Sequence, residues 1–250
     1  MSATQIPRIF AQARRAGRWQ RMRTLQQESD APRFIQDAMV EEIADRLAFM
    51  RFAPNAALVM GDVHHALDEH LPSAAITHAA PDTIDEEAPL PGGPYDLVVS
   101  LGLLDTVNDL PGALVHMRRA LQPDGIAIAI LHAAGSLAPL RAAMLAAEPD
   151  RPAPRMHPMV DARGASAVLS RAGFVRHVVD TPLAVTARYG SLDRLVADLR
   201  AQGMGNVLRQ PGSPLGRSAL ERARAAFLDH ADPDGRVPVT FEMVALTGWA

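Results

Sequence analysis

The sequence predicts a doubly wound α/β fold, a mostly parallel sheet with helices on both faces and a truncated edge beyond its second strand. Three observations carry this reading. Short apolar runs alternate with amphipathic helical segments along the chain, the pattern of parallel strands joined by crossover helices. Residues 95–100 and 126–131 are near-continuous apolar runs, the mark of strands buried on both faces. Between His78 and Asp85 only six residues intervene, Pro81 among them, whereas a parallel crossover needs a dozen or more. The next parallel strand is therefore either absent or reduced to a loop at the sheet edge.

Taken in order, Asp30 and Pro32 open a helix whose buried stripe is Ile35, Met39, Ile43 and Leu47 at helical spacing. Residues 56–60 are the first strand, 65–71 a short helix stopped by Pro72, and 74–78 the second strand. The strand over 95–100 is followed by an amphipathic helix over 110–121. A Pro123-Asp124-Gly125 turn leads into the strand over 126–131. Residues 136–147 are helical, 149–158 form a proline-rich link, and a helix over 161–172 closes on Gly173. A strand over 174–180 comes next. A helical insertion around 190–232 follows, with one helix capped by Ser191 and ended by Gly203 and a second over 218–230; 238–247 is the last strand. We assign 30–250 to one domain and 1–29 to a basic N-terminal arm.

Composition narrows the function classes. Apolar residues make up 48% of 250, and no uninterrupted apolar run approaches the roughly 20 residues that span a bilayer. The expectation is a soluble protein without a transmembrane segment. A net charge of −3 argues against nucleic-acid binding. The absence of cysteine removes disulfides, thiolate zinc sites and a thiol nucleophile, and fits a cytoplasmic location. The arm carries Arg8, Arg14, Arg15, Arg18, Arg21 and Arg23 with no acid before Glu28. It is open to three readings: a solvated basic face packed by Ile9, Phe10 and Trp19, a docking surface for an acidic partner or peripheral contact with an anionic membrane, or a targeting segment.

After the first strand comes Gly61-Asp62-Val63-His64-His65, where a fold of this class places a glycine-rich turn that bends tightly and brings backbone N–H groups to a ligand. Only Gly61 survives there. A β-branched Val63 with positive φ would be an outlier.

Several segments carry a resemblance. They are Tyr95-Asp96-Leu97-Val98-Val99-Ser100, Val107-Asn108-Asp109-Leu110-Pro111, Leu121-Gln122-Pro123-Asp124-Gly125, Arg171-Ala172-Gly173-Phe174, and the ending Asp234-Gly235-Arg236-Val237-Pro238-Val239-Thr240-Phe241. The chain resembles the class I S-adenosylmethionine-dependent methyltransferases. More narrowly, it is similar to the mitochondrial complex I assembly factor five family and its bacterial relatives. Over the core alone it resembles malonyl-carrier methyltransferases. The resemblance implies a seven-stranded sheet and, for the best-known branch, hydroxylation of an arginine on a respiratory complex I subunit. It would place the cofactor against Gly61, Asp62, the end of the second strand at His78 or Ala79, Asp85 and Ser100. The chain departs from that pattern: the first-strand aspartate is Val59, two glycine positions are Val63 and His65, and the ribose-binding acid is His78 or Ala79. Losing a charged acceptor costs about 1.5–3 kcal/mol, and forcing a non-glycine residue into the left-handed region roughly 1–2 kcal/mol. The sum, about 2.5–5 kcal/mol, is roughly two to three and a half decades of affinity. S-adenosylmethionine binding is expected to be weakened or lost.

The candidate catalytic residues are Asp105, just past the carboxyl end of the strand over 95–100, and His132, just past the next one, where such sheets carry their sites; His132 could act as a base. Asp109 either shares that site or caps the following helix. His64, His65, His70 and His78 lack metal-ligand spacing along the sequence and are expected to be surface or loop residues with no metal. Three functions stay open: a methyltransferase-fold protein acting on or through a protein partner, an active methyltransferase on a protein or small acid, and a non-catalytic adaptor docking through the arm. Whether the chain is an enzyme is left open. The adaptor reading expects charge reversal at Arg14, Arg15 and Arg18 to abolish partner binding while the domain stays folded.

Overall fold

A computed structural model describes residues 7–150 and 153–250. Six strands form one sheet: β1 (Ala56–Met60), β2 (Ala75–Ala79), β3 (Tyr95–Leu101), β4 (Leu121–His132), β5 (Arg176–Tyr189) and β6 (Val237–Trp249), in the order β2-β1-β3-β4-β6-β5. The first four are parallel, and β6 runs antiparallel between β4 and β5. Helices α1 (Gln12–Leu25), α2 (Phe34–Met50), α3 (Leu110–Arg119), α4 (Ala138–Ala147), α5 (Ala162–Arg171), α6 (Leu192–Ala201) and α7 (Arg217–Leu228) cover the sheet.

Strand alternation divides them between two layers. Val59, Val99 and Ile128 face a core shared with α2, α4, α6 and α7, while Leu58, Val98 and Ala127 face one shared with α1, α3 and α5. Successive strand side chains point to opposite faces, so one apolar run supplies both cores. The doubly wound reading holds, and so does the truncated edge. Among the described residues the sheet has six strands where the resemblance implied seven. β2 pairs only with β1, and residues 80–94 lead to β3 without a helix.

Several expectations are corrected. The α2 helix starts at Phe34 behind Arg33, so Asp30 does not cap it. The Pro123-Asp124-Gly125 turn is absorbed into β4 as an irregularity opposite Tyr95 and Leu97, with Asp124 at φ 64°. β5 continues past Asp180 to Tyr189 because β6 pairs with it along its length, apart from a break between Asp180 and Leu183.

The arm is corrected most. Residues 1–6 lie outside the described residues, but the rest is no solvated appendage. Trp19 and Met22 of α1 are buried in the second core, and Arg15 is 2% exposed. Arg15 grips the fully buried Glu86 with two hydrogen bonds of 2.8 and 2.7 Å and donates to the Leu103 carbonyl at 3.2 Å. The pair ties α1 to the loop that replaces the missing strand. Among the described residues no helix is long and apolar enough to cross a membrane.

Candidate functional site

At the carboxyl end of the sheet two side chains from separate elements meet. Asp105 sits on a 3-10 turn (Leu104–Thr106) after β3, and His132 ends β4. The His132 Nδ1 lies 2.7 Å from an Asp105 carboxylate oxygen. Gly102 makes room for the ring: a Cβ there would stand 3.3 Å from His132 Cε1, and the residue's φ of 62° suits glycine. Burial alone would raise the Asp105 carboxyl. The hydrogen bond from His132 and the charges of His132, Arg18 and His157 outweigh it and hold Asp105 below its ordinary range. An ionised carboxylate only accepts, so Nδ1 donates to Asp105 and Nε2 is the nitrogen left for other chemistry. That Nε2 is buried and has no hydrogen-bond partner among the described residues, and His132 lines a cavity of about 230 Å³.

The cavity is mostly apolar, with Leu140, Met144 and Met159 among its lining, and Arg18, His157 and Asn206 supply polar groups. Arg18 donates to the Thr106 hydroxyl at 3.1 Å, and burial pulls its guanidinium down to about 10 against the raising pull of Asp105. Arg155, at the rim, is held by Glu148 at 2.9 and 2.6 Å. The Asp105–His132 pair is a base–orienter arrangement opening on a recess that would take one small ligand or one inserted side chain. Sequence reasoning placed both members of the pair and missed Arg18 and Arg155. Arg15, Trp19 and Met22 recur at helical spacing, a signal that the arm packs as a helix and carries Arg18 inward.

His157 stacks edge-on against Phe10 with ring centroids 5.6 Å apart, and burial lowers its pKa from 6.5. Because the folded value lies below the unfolded one, the unfolded chain binds the extra proton first as pH falls through about 6.5, and stability drops there. Acidification from about pH 7.5 to 5 is thus expected to lower the melting temperature. His157→Gln should flatten that slope, as pH-dependent thermal unfolding would show. An unchanged slope would place the dependence in other groups.

The expected cofactor residues are dispersed. Gly61 turns at φ 89° after β1. Asp62 is buried and turned inward, accepting from the Leu67 and His64 amides at 2.8 and 3.2 Å, so it builds the turn and the following 3-10 helix (Ala66–His70). Asp85 is exposed and accepts from the Glu87 amide, away from the cavities; its neighbour Glu86 is the acid that points inward. Ser100 is fully buried inside β3 with its hydroxyl unpartnered. Asp109 caps α3 through the Gly112 amide at 2.9 Å, the structural alternative. The left-handed residue in the turn is His65 at φ 56°, and Val63 is not in that region.

Beside Gly61, between Gln36, Leu101 and Leu103, the enclosed space is about 40 Å³. That volume suits about three waters; cofactor sites run to roughly 300–1,000 Å³. Trp19 lines this remnant and also a separate open cleft past Asp62 and His78. One aromatic side chain of α1 thus stands between the two parts of the groove a nucleoside cofactor would occupy. Measured against what a nucleoside cofactor needs, this end of the sheet offers little enclosed space beside Gly61, a histidine at position 78 in β2, and Gly61 as the turn's glycine.

His65 is an exposed turn residue, as expected, while His78 is half-buried in β2, and the two lie together. His78 Nε2 lies 3.2 Å from Asp68, and the His65 and His78 rings stack at 3.7 Å.

The sheet order defines the class of fold: a mixed α/β domain with a mostly parallel sheet, the class I methyltransferase fold. Residues 59–129 match the methyltransferase domain family. The solved structure of a candidate methyltransferase from Bacillus halodurans superposes with a TM-score of 0.52 at 10% identity, covering 82% of this chain and 97% of that one. More particularly, the chain is NDUFAF5-like. It is 32% identical over 170 residues to the mitochondrial arginine-hydroxylase NDUFAF5 of Rattus norvegicus, covering 66% of this chain and 49% of that protein; the Homo sapiens protein matches to the same extent. The malonyl-[acyl-carrier protein] O-methyltransferase of Halorhodospira halophila is 34% identical over 165 residues, covering 64% and 54%. The chain spans about half the length of the curated relatives it matches.

Proposed function

We propose that this NDUFAF5-like protein has given up S-adenosylmethionine binding and acts on or through a protein partner, using the Asp105–His132 recess. The observation that carries the reading is the roughly 40 Å³ left beside Gly61, too little for a nucleoside cofactor. His78 in place of a ribose-binding acid supports it further, since an imidazole offers at most one acceptor where a carboxylate offers two oxygens. The recess above Asp105, about 230 Å³, is below the size of sites for drug-sized ligands and suits a side chain presented by a partner. A respiratory complex I subunit is the partner class that the family resemblance implies. An arginine side chain would meet Asp105 there, but also Arg18.

Calorimetry with S-adenosylhomocysteine tests the proposal. The expected result is no heat of binding at micromolar ligand. Binding at low micromolar concentration would overturn it. That outcome would favour a second reading, an active methyltransferase on a small acid. Arg18 and Arg155 at the recess support this alternative, because guanidinium groups pair well with carboxylates.

A further inference from the structure

The geometry points to a divalent transition-metal site formed by His65, Asp68 and His78 at the truncated sheet edge. One ligand atom from each of the three lies within 4.8 Å of the others. His78 Nε2 stands 3.2 Å and His65 Nδ1 3.9 Å from the same Asp68 oxygen. A tetrahedral ion with bonds near 2.0–2.1 Å requires donor separations of about 3.3 Å. The Asp68–His78 pair already has that spacing, and the exposed His65 must rotate out of its stack on His78 to bring a nitrogen to the same ion.

His65 sits in the left-handed region at φ 56°, as do Arg51, Asp124 and Leu137. The turn thereby sets His65 against His78, which β2 supplies from the opposite side, with the rings 3.7 Å apart and 20° from parallel. Two buried atoms of the cluster, Asp68 Oδ1 and His78 Nδ1, have no hydrogen-bond partner among the described residues. A second free carboxylate oxygen lets Asp68 bind in either one- or two-oxygen mode.

Two imidazole nitrogens and a carboxylate are a donor set for Zn²⁺, Fe²⁺, Ni²⁺ or Cu²⁺ in preference to Mg²⁺ or Ca²⁺. Three protein ligands leave a coordination position open. It would face the cleft of about 230 Å³ lined by Asp62, Val63 and Asp82, so water or a small anionic ligand can complete the shell. The histidine standing where a ribose-binding acid is expected thus acquires a role of its own. The inference is independent of whether the neighbouring groove binds a cofactor.

The test uses the full chain, stripped with chelator and titrated with Zn²⁺ by calorimetry and with Co²⁺ by visible absorption. We expect one equivalent of Zn²⁺ and the visible bands of tetrahedral Co²⁺. His65→Ala and His78→Ala should each weaken binding by at least about tenfold, since even residues that only orient a ligand cost 10–100-fold when removed. His230→Ala, at an exposed position elsewhere, should leave it unchanged, with circular dichroism showing that all variants stay folded. Absence of stoichiometric binding, or binding that the His65 and His78 variants do not weaken relative to His230→Ala, would overturn the assignment.

Discussion

Replacing Arg15 with alanine should cost about 3–5 kcal/mol of folding stability, the usual penalty for stripping one partner from a buried ion pair. The variant leaves Glu86, fully buried, without its two guanidinium hydrogen bonds, and the Leu103 carbonyl loses a donor. The same substitution at the exposed Arg21 should move stability by less than about 0.5 kcal/mol. Urea unfolding of both variants measures the contrast. Replacing the pair together, Arg15→Met with Glu86→Leu, should recover most of the loss, because a well-packed apolar pair commonly matches a buried ion pair. An Arg15→Ala protein within about 1 kcal/mol of the parent would mean that α1 is not anchored as the geometry indicates. The result also bears on the docking idea. Charge reversal at Arg15 would unfold the domain and mimic loss of a binding surface, so a test of the arm should use the exposed Arg8, Arg14 and Arg21.

The sheet was legible in the sequence because its strands are extreme. The runs at Ala57–Met60, 95–100 and 126–131 are buried on both faces, and periodicity needs nothing else to reveal them. The missing strand was legible too, since too few residues follow His78 to build a crossover. Asp105 and His132 could be placed because the carboxyl ends of parallel strands converge at the site whatever the loops do. What failed depended on tertiary partners. Arg15 is unremarkable in an arginine-rich arm until Glu86, 71 residues away, meets it in the core. Likewise His65 and His78 are thirteen positions apart in sequence and become neighbours only because β2 pairs with β1 at the end of which the turn begins. Spacing rules for metal ligands work along one helix or loop, and they say nothing about a pair assembled across two elements. Asp62 and Asp85 were read as facing a ligand; the backbone amides beside them claim their oxygens instead.

Gly61→Ala should destabilise the protein by about 2–5 kcal/mol: roughly 1–2 for a side chain in the left-handed region and about 1–3 for overpacking. A Cβ at this position would stand 2.6 Å from the Leu101 carbonyl oxygen and 2.9 Å from Leu103 Cγ, and the first of these is backbone that cannot rotate away. The residue is also pinned on both sides, its N–H bonded to the Ala79 carbonyl at 3.1 Å and its carbonyl accepting from Gln36 at 2.8 Å. Its survival, when the glycines expected at 63 and 65 are gone, then has a physical reason. Gly61 serves the close packing of β1 against the end of β3, whereas glycines at 63 and 65 would serve a bound ligand and not this packing. Gly17 is the internal control. It lies within α1 with nothing inside 4 Å of an added Cβ, so Gly17→Ala should gain about 0.5–1 kcal/mol from helix propensity. Denaturant unfolding of the two variants should therefore shift in opposite directions. A Gly61→Ala protein as stable as the parent would show that the turn can relax, and the tight approach to Leu101 would no longer explain why this one glycine remains.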